Sequence, residues 1–342
     1  MSQDEHHISH VVSSLLDIVP RSPLTKEEEK LTQAGKLVEV IYNRVTSTKF
    51  RKSSIDEGTV NFYKKYLQKA IENNERIRLY FLFGGYKQAR LSNAPYPDWA
   101  EVFNINLALK AATSIESIYD SGVDVIYRGD EVVTTLIGNY KVSARKAYAK
   151  RLNEIMALFN QHIPHNRSIN VRYELTSETS PEEKLFRLMD ELYPKYKKAF
   201  DSLSQEVQEQ RIQKSYRNQC WDGEKDLTSL SEEERLTKVK WASIMHDVFL
   251  EADVKLAEEY FNNGISISFR KGIPGCIHYG SCSSSTVQFW AGEGFLEMRD
   301  DRIVPWILSY EQQQKISPKE VMLGDENEFK KVGLNKIRIF GK

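Results

Sequence analysis

The stretch Arg78 to Glu101, RLYFLFGGYKQARLSNAPYPDWAE, brings a lysine and two carboxylates close together in sequence: Lys87, Asp98 and Glu101. A lysine in a loop can hold an oxyanion, and a carboxylate beside it can move a proton. The residues around them suggest how they are positioned. An apolar run from Leu79 to Phe83 breaks at Gly84-Gly85, Lys87 follows in a loop, and the chain enters a helix through Pro97-Asp98. This reads as strand, glycine break, cationic loop and helix. In an open α/β sheet the crevice beyond the strand's carboxyl end is where ligands bind, and free amides with a basic side chain suit phosphate there. Asp98 and Glu101, at i and i+3, also fit a capping box, a purely structural role. An ordinary strand-to-helix connection with a solvated lysine is the alternative for the loop.

A second apolar strand ends in Arg128-Gly129-Asp130, which opens on the same side of the sheet as Lys87. Arg128 and Asp130 thus join the candidate crevice, with a surface salt bridge as the plainer reading. Arg172, inside a third strand, needs a partner or an anion because an unpaired buried charge is costly. Further on, Arg270 and Lys271 precede the loop CIHYGSCSSS, residues 276–285. Its hydroxyls, Ser281 among them, suit an oxyanion pocket or an ordinary surface loop. Cys276, His278 and Cys282 do not make a structural zinc site, which takes four closely spaced ligands. Ser281 as a nucleophile with His278 lacks the G-x-S-x-G context. Neither G-x-G-x-x-G after the first strand nor G-x-x-x-x-G-K-[ST] occurs, so no motif supports dinucleotide or ATP binding.

Composition narrows the function classes. Lys+Arg and Asp+Glu are 48 each, so no global field draws the chain to nucleic acid or to an anionic membrane. No apolar run approaches the roughly 20 residues of a membrane span, and the first residues, MSQDEHHISHVVSSLLDIVP, lack the basic start of a signal peptide. Three cysteines, Cys220, Cys276 and Cys282, argue against a disulfide framework and for a reducing compartment, hence a cytoplasmic location. Small-molecule substrates are the expected partners, and a homodimer is the assembly left open.

The periodicity predicts an α/β fold, a Rossmann-like, mostly parallel sheet with N-terminal helices and a helical insertion. Helices fill residues 8–73, one of them running from a capping box at Thr25 to about Thr46. Strands at 77–83, 123–128 and 169–175 alternate with helices at 98–118 and 143–161, the pattern of right-handed parallel crossovers. The domain reading is N-terminal helices 1–75, a core of 76–180 and 263–342, and a helical insertion or cap, 181–262. Within that insertion, charged helices at 181–217 and 232–262 flank a polar break. From Gly264 onward, ISISFRK, TVQFW, RIVPWIL and KIRIF read as strands completing the sheet, with room for antiparallel edges.

Taken in order, Lys87, Asn93, Pro97-Asp98-Trp99-Ala100-Glu101, Tyr119-Asp120-Ser121-Gly122 and Gly129-Asp130-Glu131 resemble the isocyanide (isonitrile) synthase family of pyoverdine and dityrosine biosynthesis. That family carries a loop F-P-x-K-S-x-N, then L-P-D-x-x-E entering a helix, a helix ending Y-x-P-G and a strand ending near S-D-G. The resemblance covers about residues 60–160. Here Gly84-Gly85-Tyr86 replaces the phenylalanine-proline approach to the lysine, Ser121 replaces proline and Glu131 replaces glycine. The family's C-terminal signatures have no clear counterpart. The resemblance implies an enzyme of secondary metabolism without metal or nicotinamide cofactor. Such an enzyme joins an amino acid's amine to the C2 carbonyl of ribulose 5-phosphate, then fragments the adduct. The residues fit that chemistry physically: Lys87, Arg128 and Arg270 or Lys271 would hold the phosphate, with Arg172 and Ser281 as further binding residues. Asp98 or Glu101 would be the base, and Asp130 or His278 would shuttle protons. A non-catalytic small-molecule-binding or regulatory protein of the same fold is the alternative, and a serine hydrolase is a third.

Overall fold

A computed structural model describes residues 3–130, 133–179, 182–222, 226–260, 264–273, 275–299 and 302–341. Glu131, the side chain of Cys220, and residues 181, 223–225 and 261–262 of the expected insertion lie outside them. Five strands build a parallel sheet in the order β3-β2-β1-β4-β5: β1 (Ile77–Phe83), β2 (Val123–Gly129), β3 (Ile169–Leu175), β4 (Ile265–Ser268) and β5 (Ile277–His278). Alternation along each strand sends Ile77, Leu79, Phe81 and Phe83 of β1, with Val123, Val125 and Tyr127 of β2, into one core.

Four helices precede the sheet: α1 (Gln3–Ser13), α2 (Lys26–Gln33), α3 (Leu37–Val45) and α4 (Glu57–Glu72). The capping box at Thr25 forms with Glu28 as expected. The helix it starts stops at Gln33 rather than near Thr46, because Gly35 turns the chain with a left-handed φ of +72°. Crossovers α5 (Trp99–Glu116) and α6 (Val142–His162) link β1 to β2 and β2 to β3. Helix α5 buries Val102, Ile105, Leu109, Ala112 and Ile115 along one face, and Phe103, Leu107, Ala108 and Ala111 on its other faces are buried too. It is a central helix, hydrophobic all round.

The C-terminal strands differ from expectation. Only β4 and β5 extend the parallel sheet. Strands β6 (Gly292–Arg299), β7 (Arg302–Ser309), β8 (Lys319–Met322) and β9 (Lys336–Gly341) form a separate mixed sheet in the order β7-β6-β9-β8. The TVQFW segment is no strand; Phe289–Ala291 is a 3-10 turn. This second sheet packs on the start of α5. A Cβ at Gly294 of β6 would lie 2.4 Å from Trp99, so only glycine allows the approach. The Trp99 indole donates to the Lys336 carbonyl at 2.7 Å and packs edge-on against Phe329. Trp99 is therefore a core residue.

Between β3 and β4 the chain passes through α7 (Thr176–Thr179), α8 (Glu182–Asp201), α9 (Gln205–Asp222) and α10 (Glu232–Tyr260). The expected 181–217 helix is broken at residues 202–204 into α8 and α9. Leu185, Met189, Phe200, Val248 and Phe249 give these helices a core of their own.

Candidate functional site

The chain runs outward from β1 through β2 to β3, then returns to place β4 on the other side of β1. The order therefore reverses between β1 and β4, and the carboxyl ends there frame the crevice that open α/β sheets use for ligands. A cavity of about 760 Å³ occupies it. Its floor comes from the strand ends, Leu82 to Gly84, Arg128, Asp130, Ser268 and Arg270, and its roof from α9 and α10.

Arg128 is buried, 2% exposed, and its guanidinium lies 3.6 Å from Asp253 of α10. Asp130 follows as β2 leaves the sheet, its amide donating to the Phe83 carbonyl at 3.2 Å. That contact sets the ends of β1 and β2 side by side. Gly85 turns with a φ of +69°, and a Cβ there would meet the Asp130 amide at 3.2 Å. The glycine break read from sequence is therefore required by the neighbouring strand end.

Lys87 is placed differently from the expected phosphate contact. It is fully buried, and its Nζ lies 3.0 Å from Asp98 Oδ1, 3.0 and 2.9 Å from the two Glu101 oxygens and 2.9 Å from the Phe289 carbonyl. Its protons are all taken up by protein oxygens, and it does not line the cavity. Asp98 and Glu101 make the reciprocal capping box of α5: the Ala100 amide donates to Asp98 Oδ1 at 2.7 Å and the Asp98 amide to Glu101 Oε2 at 2.8 Å. Tyr148 donates to Glu101 Oε1 at 3.0 Å. Burial pulls the Lys87 ammonium down, but the Asp98 and Glu101 carboxylates outweigh it and hold its pKa above the usual value. Two carboxyls share this one cation, so Glu101 is pushed up to about 8, by burial first and with a further push from Asp98. The group is a sealed ionic cluster beneath the site.

Of the other expected site residues, Arg270 lines the cavity with Arg128 and Asp130. Arg172 does not: it found the partners its position demanded, Glu174 at 2.8 Å and Asp124 at 3.2 Å. Lys271 is exposed and Ser281 is buried, both away from the cavity. His278 is at the end of β5, where burial and then the charges of Lys271 and Lys52 lower its pKa. The loop is held by backbone contacts such as Asn104 Nδ2 to the Ser281 carbonyl at 2.7 Å. Cys276 is pushed up to about 12 by burial, so its thiol stays protonated. Among the described residues no group of three His, Cys, Asp or Glu side chains is placed to hold a metal, and no helix is long and apolar enough to cross a membrane.

The roof carries residues that sequence reasoning missed. Arg211, Lys214, Ser215 and Gln219 share one face of α9, and Ser243, His246, Asp247, Leu250 and Asp253 one face of α10. The signal was present as helical spacing, three or four residues apart, on helices whose charge suggested solvated faces. Arg211 pairs with Asp247. His246 is half-exposed into the cavity, and burial, then the charge of Arg270, lowers its pKa to about 4. It is neutral at physiological pH.

The sheet order, the crossovers and the crevice define an α/β protein with a Rossmann-like core. No protein-family profile matches the chain, and no curated protein is similar to it in sequence. Among solved structures it is similar to the PvcA protein from Pseudomonas aeruginosa, with a TM-score of 0.61 at 14% identity, covering 89% of this chain and 100% of that one. The likeness shows a shared fold.

Proposed function

We propose that this chain is a biosynthetic enzyme that binds an amino acid and a phosphosugar together in the cavity above β1, β2 and β4, with ribulose 5-phosphate as the phosphosugar. The observation that carries this reading is the buried Arg128 beside Asp130 at the point where the strand order reverses, roofed by further cations. Arg128 offers charge-assisted hydrogen bonds to an anionic substrate. Asp130, rather than Asp98 or Glu101, is the carboxylate that reaches the cavity and takes the proton of the reacting amine. His246, neutral, faces the same space as an acceptor or donor. Holding two substrates in one enclosed space removes much of the entropic barrier to joining them. Lys87, Asp98 and Glu101 support the floor from below.

One observation favours a second reading, a binding protein without chemistry: the lysine and both carboxylates of the family-like motif are sealed away from the cavity. Incubating the chain with amino acids and ribulose 5-phosphate, followed by mass spectrometry, separates the two. A new amine-derived product supports the enzyme. Saturable binding of both compounds without product supports the binding protein.

A further inference from the structure

The charges lining the cavity are unevenly committed. Four cations face it, Arg128, Arg211, Lys214 and Arg270, against Asp130, Asp247 and Asp253. Arg128 faces Asp253 and Arg211 pairs with Asp247. Lys214 and Arg270 have no carboxylate partner among the described residues, and they stand on opposite walls, one on α9 and one just after β4. Beside them Gln219 is 2% exposed, yet among the described residues its side-chain oxygen has no hydrogen-bond partner while its nitrogen donates to Ser215 Oγ at 3.2 Å. Whichever way that amide is turned, one of its polar atoms is left for a ligand. A buried amide atom without a protein partner is costly, and a ligand hydroxyl that meets it offsets that cost.

We infer that the space between α9 in the roof and the strand end after β4 in the floor is a phosphate-monoester subsite, with Lys214 and Arg270 clamping the dianion from opposite walls and Gln219 binding a hydroxyl next to the ester carbon. This rests on the cavity being the ligand site proposed above, and it moves the phosphate from the lysine loop to the helical insertion. The neighbourhood of His246 agrees. Its imidazole lines the same cavity as Arg270, Lys214 and Arg211, and after burial their charges lower its pKa against the opposing Asp247. The insertion then selects the ligand: unless α9 is seated over the strands, Lys214 and Arg270 cannot hold one phosphate between them.

Calorimetry on the full chain tests this with inorganic phosphate, ribulose 5-phosphate and unphosphorylated ribulose as probes. Lys214→Ala and Arg270→Ala should each weaken both phosphate probes about tenfold or more, the size of one lost charge-assisted contact. Gln219→Leu should weaken ribulose 5-phosphate while leaving inorganic phosphate unchanged. Lys331→Ala, on a surface salt bridge with Glu328, should change neither. If both phosphates bind the Lys214 and Arg270 variants as well as wild type, the roof assignment is wrong and the cavity reading survives. If wild type binds neither phosphate, both fall.

Discussion

The Nζ of Lys87 lies 2.9 Å from Oε2 of Glu101, and neither side chain touches solvent. A buried lysine shared by two carboxyls adds little net stability over an apolar replacement of all three, but removing it leaves the negative charge it balances, on Asp98 and on Glu101 once that group ionises, uncompensated. Lys87→Ala should therefore destabilise the chain by about 3–5 kcal/mol in urea unfolding. A loss below about 1 kcal/mol would mark Lys87 as a solvated loop residue after all.

Glu101 gives the same cluster a pH dependence. Its pKa is raised in the folded chain to about 8, so the fold keeps a proton that the unfolded chain releases. That contribution is fully present below the unfolded carboxyl value, falls as pH rises, and is gone above about pH 8. Wild-type stability should decline between roughly pH 4.5 and 8 by on the order of a few kcal/mol more than that of Glu101→Gln. Parallel declines in urea titrations of the two proteins would show that Glu101 titrates normally.

His246 reports on the cavity from the other direction. Its pKa is lowered to about 4 by burial and by Arg270, Lys214 and Arg211, against Asp247. Phosphate bound among those cations should raise it, which proton NMR of the imidazole can follow with and without inorganic phosphate. An unmoved resonance at saturating phosphate would place the anion elsewhere.

Asp130→Asn should preserve the shape of the β2 end and remove its base. Turnover should fall by roughly 10²–10⁴-fold while phosphosugar affinity stays near wild type. Single-turnover kinetics would decide this, with unchanged turnover returning the proton transfer to another group.

Much of the core was legible because it is locally encoded. Strands 77–83 and 169–175 are Ile77–Phe83 and Ile169–Leu175, since the first is a mostly apolar run and the second alternates apolar with polar residues. RIVPWIL and KIRIF were read as strands, but their separate sheet was not legible, because β6 pairs with β9 across some forty intervening residues. The burial of Lys87 was hidden for the same reason. The sequence shows a cation in a glycine loop, while the carbonyl that closes over it belongs to Phe289, 202 residues away. Arg128 and Asp130 were found because a strand end announces itself. Lys214, Gln219 and His246 were missed because on a charged helix a cavity-facing residue has the same spacing as a solvated one.

The most direct test is a crystal structure of the chain with ribulose 5-phosphate bound. The sugar should lie over the ends of β1 and β2, near Arg128 and Asp130, with its phosphate between Lys214 and Arg270. A ligand lying outside this cavity, or a phosphate drawn to an opened Lys87, would contradict this placement.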